Sequence, residues 1–183
     1  LLLTDDFSDI LSDRVDLVGD ADGHVDAAFS SDLLAPNHRI LCAAPAYLKK
    51  HGEPKRLEDL SNHHLLAASN QTHWRLQGPR GQRTKDVDSR VSTNSSEVIR
   101  ELAVSGLGIA LRSAWDIFHE IKSGALVRIL PEWSGATDVG LYAVRPNAPL
   151  PPVNVRALIA YLKEIYGDKP YWELSAPRKA RRS

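Results

Sequence analysis

From residue 39 to residue 166 the chain alternates short apolar runs with stretches of helical periodicity. The runs 39–44, 65–68, 109–111, 126–130 and 139–144 are too short for buried helices and carry few charges. That is the pattern of strands covered on both faces. Start and stop signals lie between them. Pro45 can open a short helix, because its preset φ suits a first turn and its missing N–H is not needed there. Gly52 then ends it. Asn94 and Glu97 are spaced as a capping box, with Ile99, Leu102, Ala103 and Gly106 on one face behind them. Residues 113–123 predict a second capped helix closed by Gly124. Residues 74–91 predict a hairpin around Gly78-Pro79-Arg80-Gly81. In the last helix Val155, Leu158, Ile159, Leu162, Ile165 and Tyr166 form one stripe, followed by Gly167. Strands alternating with helices predict an α/β fold, mostly of parallel strands with helices on the faces. Ligands in such folds sit at the carboxyl ends of strands, close to helix N-termini.

Composition narrows the class. The 183 residues are 43% apolar and 25% charged, which suits one domain or two small lobes sharing a hinge. Lys plus Arg equals Asp plus Glu at 23 each. Phosphate contacts supply most nucleic-acid affinity, so any DNA-reading part is expected elsewhere. Cys42 is the single cysteine, which excludes an intrachain disulfide and fits a reducing, cytoplasmic setting. No apolar run reaches the roughly 18–20 residues that span a bilayer, and no secretion signal opens the chain. The chain has no Met and starts Leu1-Leu2-Leu3, so the gene product is expected to begin upstream.

Three ordered stretches carry a family resemblance. The first is Leu34-Ala35-Pro36-Asn37-His38-Arg39-Ile40-Leu41-Cys42-Ala43-Ala44-Pro45-Ala46-Tyr47-Leu48. The second is residues 74–87 with the Gly-Pro-x-Gly turn, then residues 94–111 with Gly-Leu-Gly-Ile-Ala-Leu. The third is residues 123–133, Ser-Gly-Ala-Leu-Val-Arg-Ile-Leu-Pro-Glu-Trp, followed by Leu141-Tyr142-Ala143-Val144. Over residues 34–166 their order and spacing resemble the C-terminal effector-binding domain of LysR-type transcriptional regulators. The resemblance implies a two-lobed, periplasmic-binding-protein-like α/β fold with mixed sheets and two crossover hinge strands. Residues 39–44 would cross out of the first lobe and residues 139–144 back. Residues 1–42 would then give part of the first lobe and a hinge strand, 43–138 the second lobe, 139–170 the other hinge strand and the last helix, and 171–183 a basic tail. The family's first strand and helix, half of its effector site, would precede Leu1. Val18 stands before Gly19 where many members carry Arg. The resemblance also implies a small-molecule effector, a homodimer or homotetramer, and DNA contact through an N-terminal winged helix-turn-helix outside this sequence. It implies neither a cofactor nor catalysis.

The resemblance places the helix start at Thr93, Asn94, Ser95 and Ser96 at the cleft. A helix N-terminus offers N–H groups and partial positive charge to an anion such as a carboxylate, and the hydroxyls add hydrogen bonds. Plain capping is the alternative, with Glu97 partly cancelling the dipole. Ala44 and Pro45 leave a strand for a helix start, and so either line the same cleft or form a buried corner. Gly108 either brings backbone close to the hinge or simply follows a helix end. His51, His63, His64 and His73 lack metal-ligand spacing. Residues 78–85 are not a phosphate-binding loop, and no nucleophile elbow occurs. Asp116, His119 and Glu120 are either an acid–base set or a solvated helix face. A stand-alone solute-binding protein of the same fold is the alternative function. An α/β enzyme of prephenate dehydratase-like or deaminase-like type lacks a matching constellation.

Overall fold

The computed structural model describes residues 29–135, 140–147, 151–167 and 169–173. The readings at Val18, Gly19 and most of the basic tail lie outside the described residues.

The centre of the fold follows from two strands that are apolar on both faces. Strand β2 (Arg39–Ala43) pairs antiparallel with β6 (Ile109–Ser113), setting Leu41 opposite Leu111. Strand β3 (Leu65–Leu66) adds parallel to the free side of β6, and β7 (Val127–Arg128) antiparallel to the free side of β2, giving the order β3-β6-β2-β7. Side chains alternate across a strand, and the core divides accordingly. Leu41, Ala43, Ile109 and Leu111 pack with Tyr47, Leu60, Trp74 and Leu76. Ile40, Cys42 and Ala110 pack with Ile99, Ala103, Ile117 and Leu126. Helix α1 (Pro45–His51) ends at Gly52 as expected, and α2 (Ser96–Val104) covers the second face through Ile99 and Ala103.

Among the described pairings only β3–β6 is parallel, so the mostly parallel sheet read from strand–helix alternation is corrected, and the mixed sheets implied by the resemblance are found. A crossover helix imposes parallel strands only where it joins neighbours. The β3-to-β6 connection, which carries α2, is the one that does so. The hairpin forms as expected from β4 (His73–Gly78) and β5 (Gly81–Asp86), with β8 (Ser134–Gly135) on the other side of β4. Trp74 and Leu76 point inward from it.

A two-stranded ribbon stands beside this unit. Strand β1 (Phe29–Pro36) pairs antiparallel with β9 (Gly140–Pro146), and α4 (Val153–Tyr166) packs on it. Leu34, Ala35, Leu141, Ala143, Val155, Ile159 and Trp172 form its core, joined by Ala114 and Phe118 from the other unit. Trp172 Nε1 donates to Pro36 O at 3.1 Å. Only part of the predicted α4 stripe is covered, since Leu158 and Ile165 remain exposed. β2 itself lies wholly within the four-stranded sheet, so the link from ribbon to sheet is Asn37-His38. There His38 O accepts the Ala114 N–H at 2.9 Å. Asn37 is buried with neither side-chain amide atom hydrogen-bonded.

Two elements are shorter than expected. The strand at 126–130 keeps only β7, because Leu130 turns to a φ of 45° and its carbonyl accepts the Trp133 N–H at 2.8 Å. A left-handed leucine costs about 1–2 kcal/mol; here its side chain is held in the core. The helix at 113–123 is a turn followed by α3 (Phe118–Ser123), closed by Gly124 and lacking a side-chain cap. Asp116, in that turn, is drawn instead to Arg112.

Cys42 is fully buried, its Sγ donating to Ala110 O at 3.6 Å, and burial pushes its thiol up to about 12. Gly108 sits tightly against β3: a Cβ there would meet His64 O at 2.5 Å. Backbone cannot give way as a side chain can, so Gly108→Ala is expected to destabilise the fold by about 1–3 kcal/mol. Urea unfolding of the two forms checks this through the shift in midpoint at unchanged slope.

Candidate functional site

The four-stranded sheet has two chemically different ends, and the strand register defines them. At one end Ala43, Ile109 and Leu65 are aligned; at the other, Arg39 faces Ser113. The second end adjoins the ribbon through Asn37-His38.

Thr93, Ser95 and Ser96 lie at the ribbon end. Thr93 O accepts both the backbone N–H of Ser69 at 2.8 Å and its hydroxyl at 3.1 Å, just beyond the carboxyl end of β3. Thr93 Oγ1 accepts the Ser95 N–H at 3.1 Å, and Ser95 Oγ accepts the Val98 N–H at 3.4 Å. Ser95 is therefore the cap of α2, and the expected cap at Asn94 is corrected by one residue. The Thr93 turn holds the chain extended until Ser95, which shifts the helix start. Glu97 does not reach back as a box partner. Its carboxylate accepts from Arg100 Nη2 at 3.4 Å, so its charge is turned toward a cation rather than the helix start. Gln71 Nε2 donates to Ser96 Oγ at 3.4 Å, and Asn94 is exposed beside this group.

Ala44, Pro45 and Gly108 lie at the opposite end. A Cβ on Gly106, just after α2, would come within 3.9 Å of Ala44 Cβ, and Gly108 abuts His64 and Leu66. The nine residues of α2 separate the two groups by about 13 Å at 1.5 Å per residue. The structure therefore does not bring Ala44, Pro45 and Gly108 together with Thr93–Ser96. Ser69 and Gln71 escaped the sequence reading. Their signal was a polar loop directly after the buried run 65–68, at a strand's carboxyl end.

The remaining charged candidates are committed elsewhere. Asp116 receives Arg112 through Nε at 2.9 Å and through Nη2, while Arg100 Nη1 stands 3.6 Å away. It therefore ties β6 to α2. His119 and Glu120 lie on α3, outside this pairing. Histidines collect around buried Tyr47. Its ring stacks on His51 at 4.5 Å, its Oη accepts the His64 N–H at 2.9 Å, and His63 Nδ1 is 3.2 Å away. Among the described residues, no three His, Cys, Asp or Glu side chains converge on a metal-sized site.

Two measurements test this geometry. Ser95→Ala removes the α2 cap and is expected to cost about 1 kcal/mol, read by chemical denaturation. His38, at the ribbon–sheet link, has its pKa lowered by burial and then by Arg128, with Glu173 opposing. The unfolded chain therefore holds more protons below the ordinary value near 6.5. Stability is then full above that pH and falls as pH drops through the folded value. The melting temperature is expected to fall between pH 7.5 and 5.5, and less steeply in His38→Asn. The lowered pKa of His63 acts in the same direction in both forms.

Comparison with known proteins agrees with this architecture. A sequence profile described as the LysR substrate binding domain matches residues 1–166. The HTH-type transcriptional activator TtdR of Escherichia coli is 36% identical over 135 residues, covering 72% of this chain and 44% of that protein. The HTH-type transcriptional regulator DmlR of the same species is 35% identical over 139 residues, covering 74% and 45%. The chain thus spans under half the length of these relatives. The regulatory domain of AphB from Vibrio vulnificus superposes with a TM-score of 0.63 at 30% identity, covering 75% of this chain and 70% of that one. The regulatory domain of CrgA from Neisseria meningitidis gives a TM-score of 0.76 at 23% identity, covering 90% and 81%. The mixed α/β architecture is the two-lobed, periplasmic-binding-protein-like fold of these regulatory domains. Matched over most of its length, the chain belongs to the LysR substrate binding domain family.

Proposed function

We propose that this chain is the effector-sensing domain of a LysR-type DNA-binding transcriptional regulator, and that it binds a small anionic metabolite between two lobes. One lobe is built on β1, β9 and α4, the other on the four-stranded sheet. The observation that carries the reading is the convergence of Thr93, Ser95, Ser96, Ser69 and Gln71 at the ribbon end of the sheet, beside the α2 N-terminus. Hydroxyl and amide groups at a positive helix end suit a carboxylate. Glu97, in the first turn, is partly offset by Arg100, which it shares with Glu101 and Asp116.

Family membership supports the rest of the reading. DNA contact belongs to a helix-turn-helix part of the whole protein, which works in the cytoplasm as a homodimer or homotetramer and catalyses nothing. The effector acts only through a difference in its affinity for two arrangements of the lobes or subunits.

A panel of short mono- and dicarboxylates, read by thermal shift, tests the proposal. One member is expected to stabilise the protein saturably, by about 2.7 kcal/mol at 100 times its Kd. Gln71→Ala and Ser96→Ala, remote from the core, are expected to weaken that ligand about 10-fold or more while leaving the unliganded midpoint nearly unchanged. A ligand that binds both variants as tightly as the parent overturns the site; turnover of any panel member overturns the sensing role.

A further inference from the structure

A recess with charged groups at its rim lies on the ribbon side, away from the site at Thr93–Ser96. It measures about 300 Å³ and is lined by Asp32 of β1, Arg145 of β9, Pro151, and Arg156, Ile159, Ala160 and Lys163 of α4. Asp32 faces Ala143 in the ribbon register, so Arg145, two residues on, projects from the same face. Residues 156, 159, 160 and 163 share one face of α4. Three cations and one carboxylate therefore meet over a floor of Ile159, Ala160 and Pro151.

The charges do not satisfy one another. Asp32 is the common partner of Arg145 and Lys163, each at 3.7 Å, which is ion-pair range but too long for a hydrogen bond. Among the described residues, buried Arg145 Nε and Nη1 have no hydrogen-bond acceptor. Guanidinium nitrogens removed from water without an acceptor are costly. One carboxylate against three cations leaves an excess of two positive charges, and Arg156 is exposed at the mouth.

We propose that this recess is an anion site that takes a small doubly charged oxyanion, either a dicarboxylate or a phosphate. Arg145 supplies positive charge from the wall, and the more exposed Lys163 and Arg156 supply the donors at the mouth. These last two stand two turns apart on α4, about 10 Å along the axis. At roughly 30 Å³ for each water-sized group, the volume accepts about ten non-hydrogen atoms, which fits a short dicarboxylate lying over the apolar floor. The site is separate from the one proposed above and does not depend on it.

Modification by phenylglyoxal, mapped by peptide mass in the purified protein, tests the assignment at constant ionic strength held with sodium chloride. Succinate or inorganic phosphate is expected to slow modification of Arg156 at least 3-fold, saturably. Arg80 and Arg83, on the distant hairpin, should react at unchanged rates. Protection by succinate identifies a carboxylate source, and protection by phosphate alone identifies a phosphate. Lys163→Gln is expected to abolish the protection, whereas Gln71→Ala, altered at the other site, keeps it. Unprotected Arg156, equal slowing of Arg80, or full protection in Lys163→Gln overturns the proposal.

Discussion

The pairing of β2 with β6 is the constraint on which the rest depends. Arg39–Ala43 and Ile109–Ser113 are covered on both faces, so each strand must have a layer above and a layer below. One layer is supplied by the hairpin, α1 and the segment around Leu60. The other is supplied by α2 and the segment around Ile117 and Leu126. A one-residue slip of β2 would turn its side chains over, sending Leu41 and Ala43 toward α2 and Ile40 and Cys42 toward the hairpin. The same ladder fixes which end of the sheet meets the ribbon, because β2 leaves the ribbon and β6 runs back to it.

That polarity sorts chemistry along the molecule. The end away from the ribbon is made of close contacts: Gly108 against His64, and Gly106 against Ala44 and Tyr47. The end beside the ribbon is made of hydroxyls, amides and paired charges. Asp116 holds Arg112 and Arg100 there, so α2 is locked to β6 by charge at one end and by packing at the other. A helix fixed in this way presents its N-terminal hydroxyls in one geometry.

Much of this was legible in the sequence. Pro45 and Gly52 bracket α1, and the Gly-Pro-Arg-Gly turn joins β4 to β5, because local chemistry decides such features. Strand direction was not legible, since an apolar run carries no sign of which neighbour it will pair with. The cap at Ser95 rather than Asn94 turns on a single side-chain bond from Thr93. Leu130 in a left-handed turn and Asp116 drawn out of a helix are tertiary effects, set by the core and by Arg112. At the candidate site the helix start was readable from its hydroxyls. Ser69 and Gln71 were not, because they join it from a loop 24 and 25 residues earlier. Ala44 and Pro45 were read as lining the same cleft because they leave a strand for a helix start, but the strand register sets them, with Gly108, at the other end of α2.

The burial of Cys42 has a practical side. The thiolate is the reactive form of cysteine, and with its thiol held near 12 in the core, the chain's single native sulfhydryl stays silent toward maleimides. Introduced cysteines can therefore carry dyes without removing any wild-type residue first. Asn70→Cys, on the loop beyond β3, and Leu158→Cys, on the open face of α4, sit in separate units at exposed positions. Energy transfer between labels there reports the distance between the two units directly. The question of whether the lobes swing on loading becomes a spectroscopic one, open to observation in single molecules.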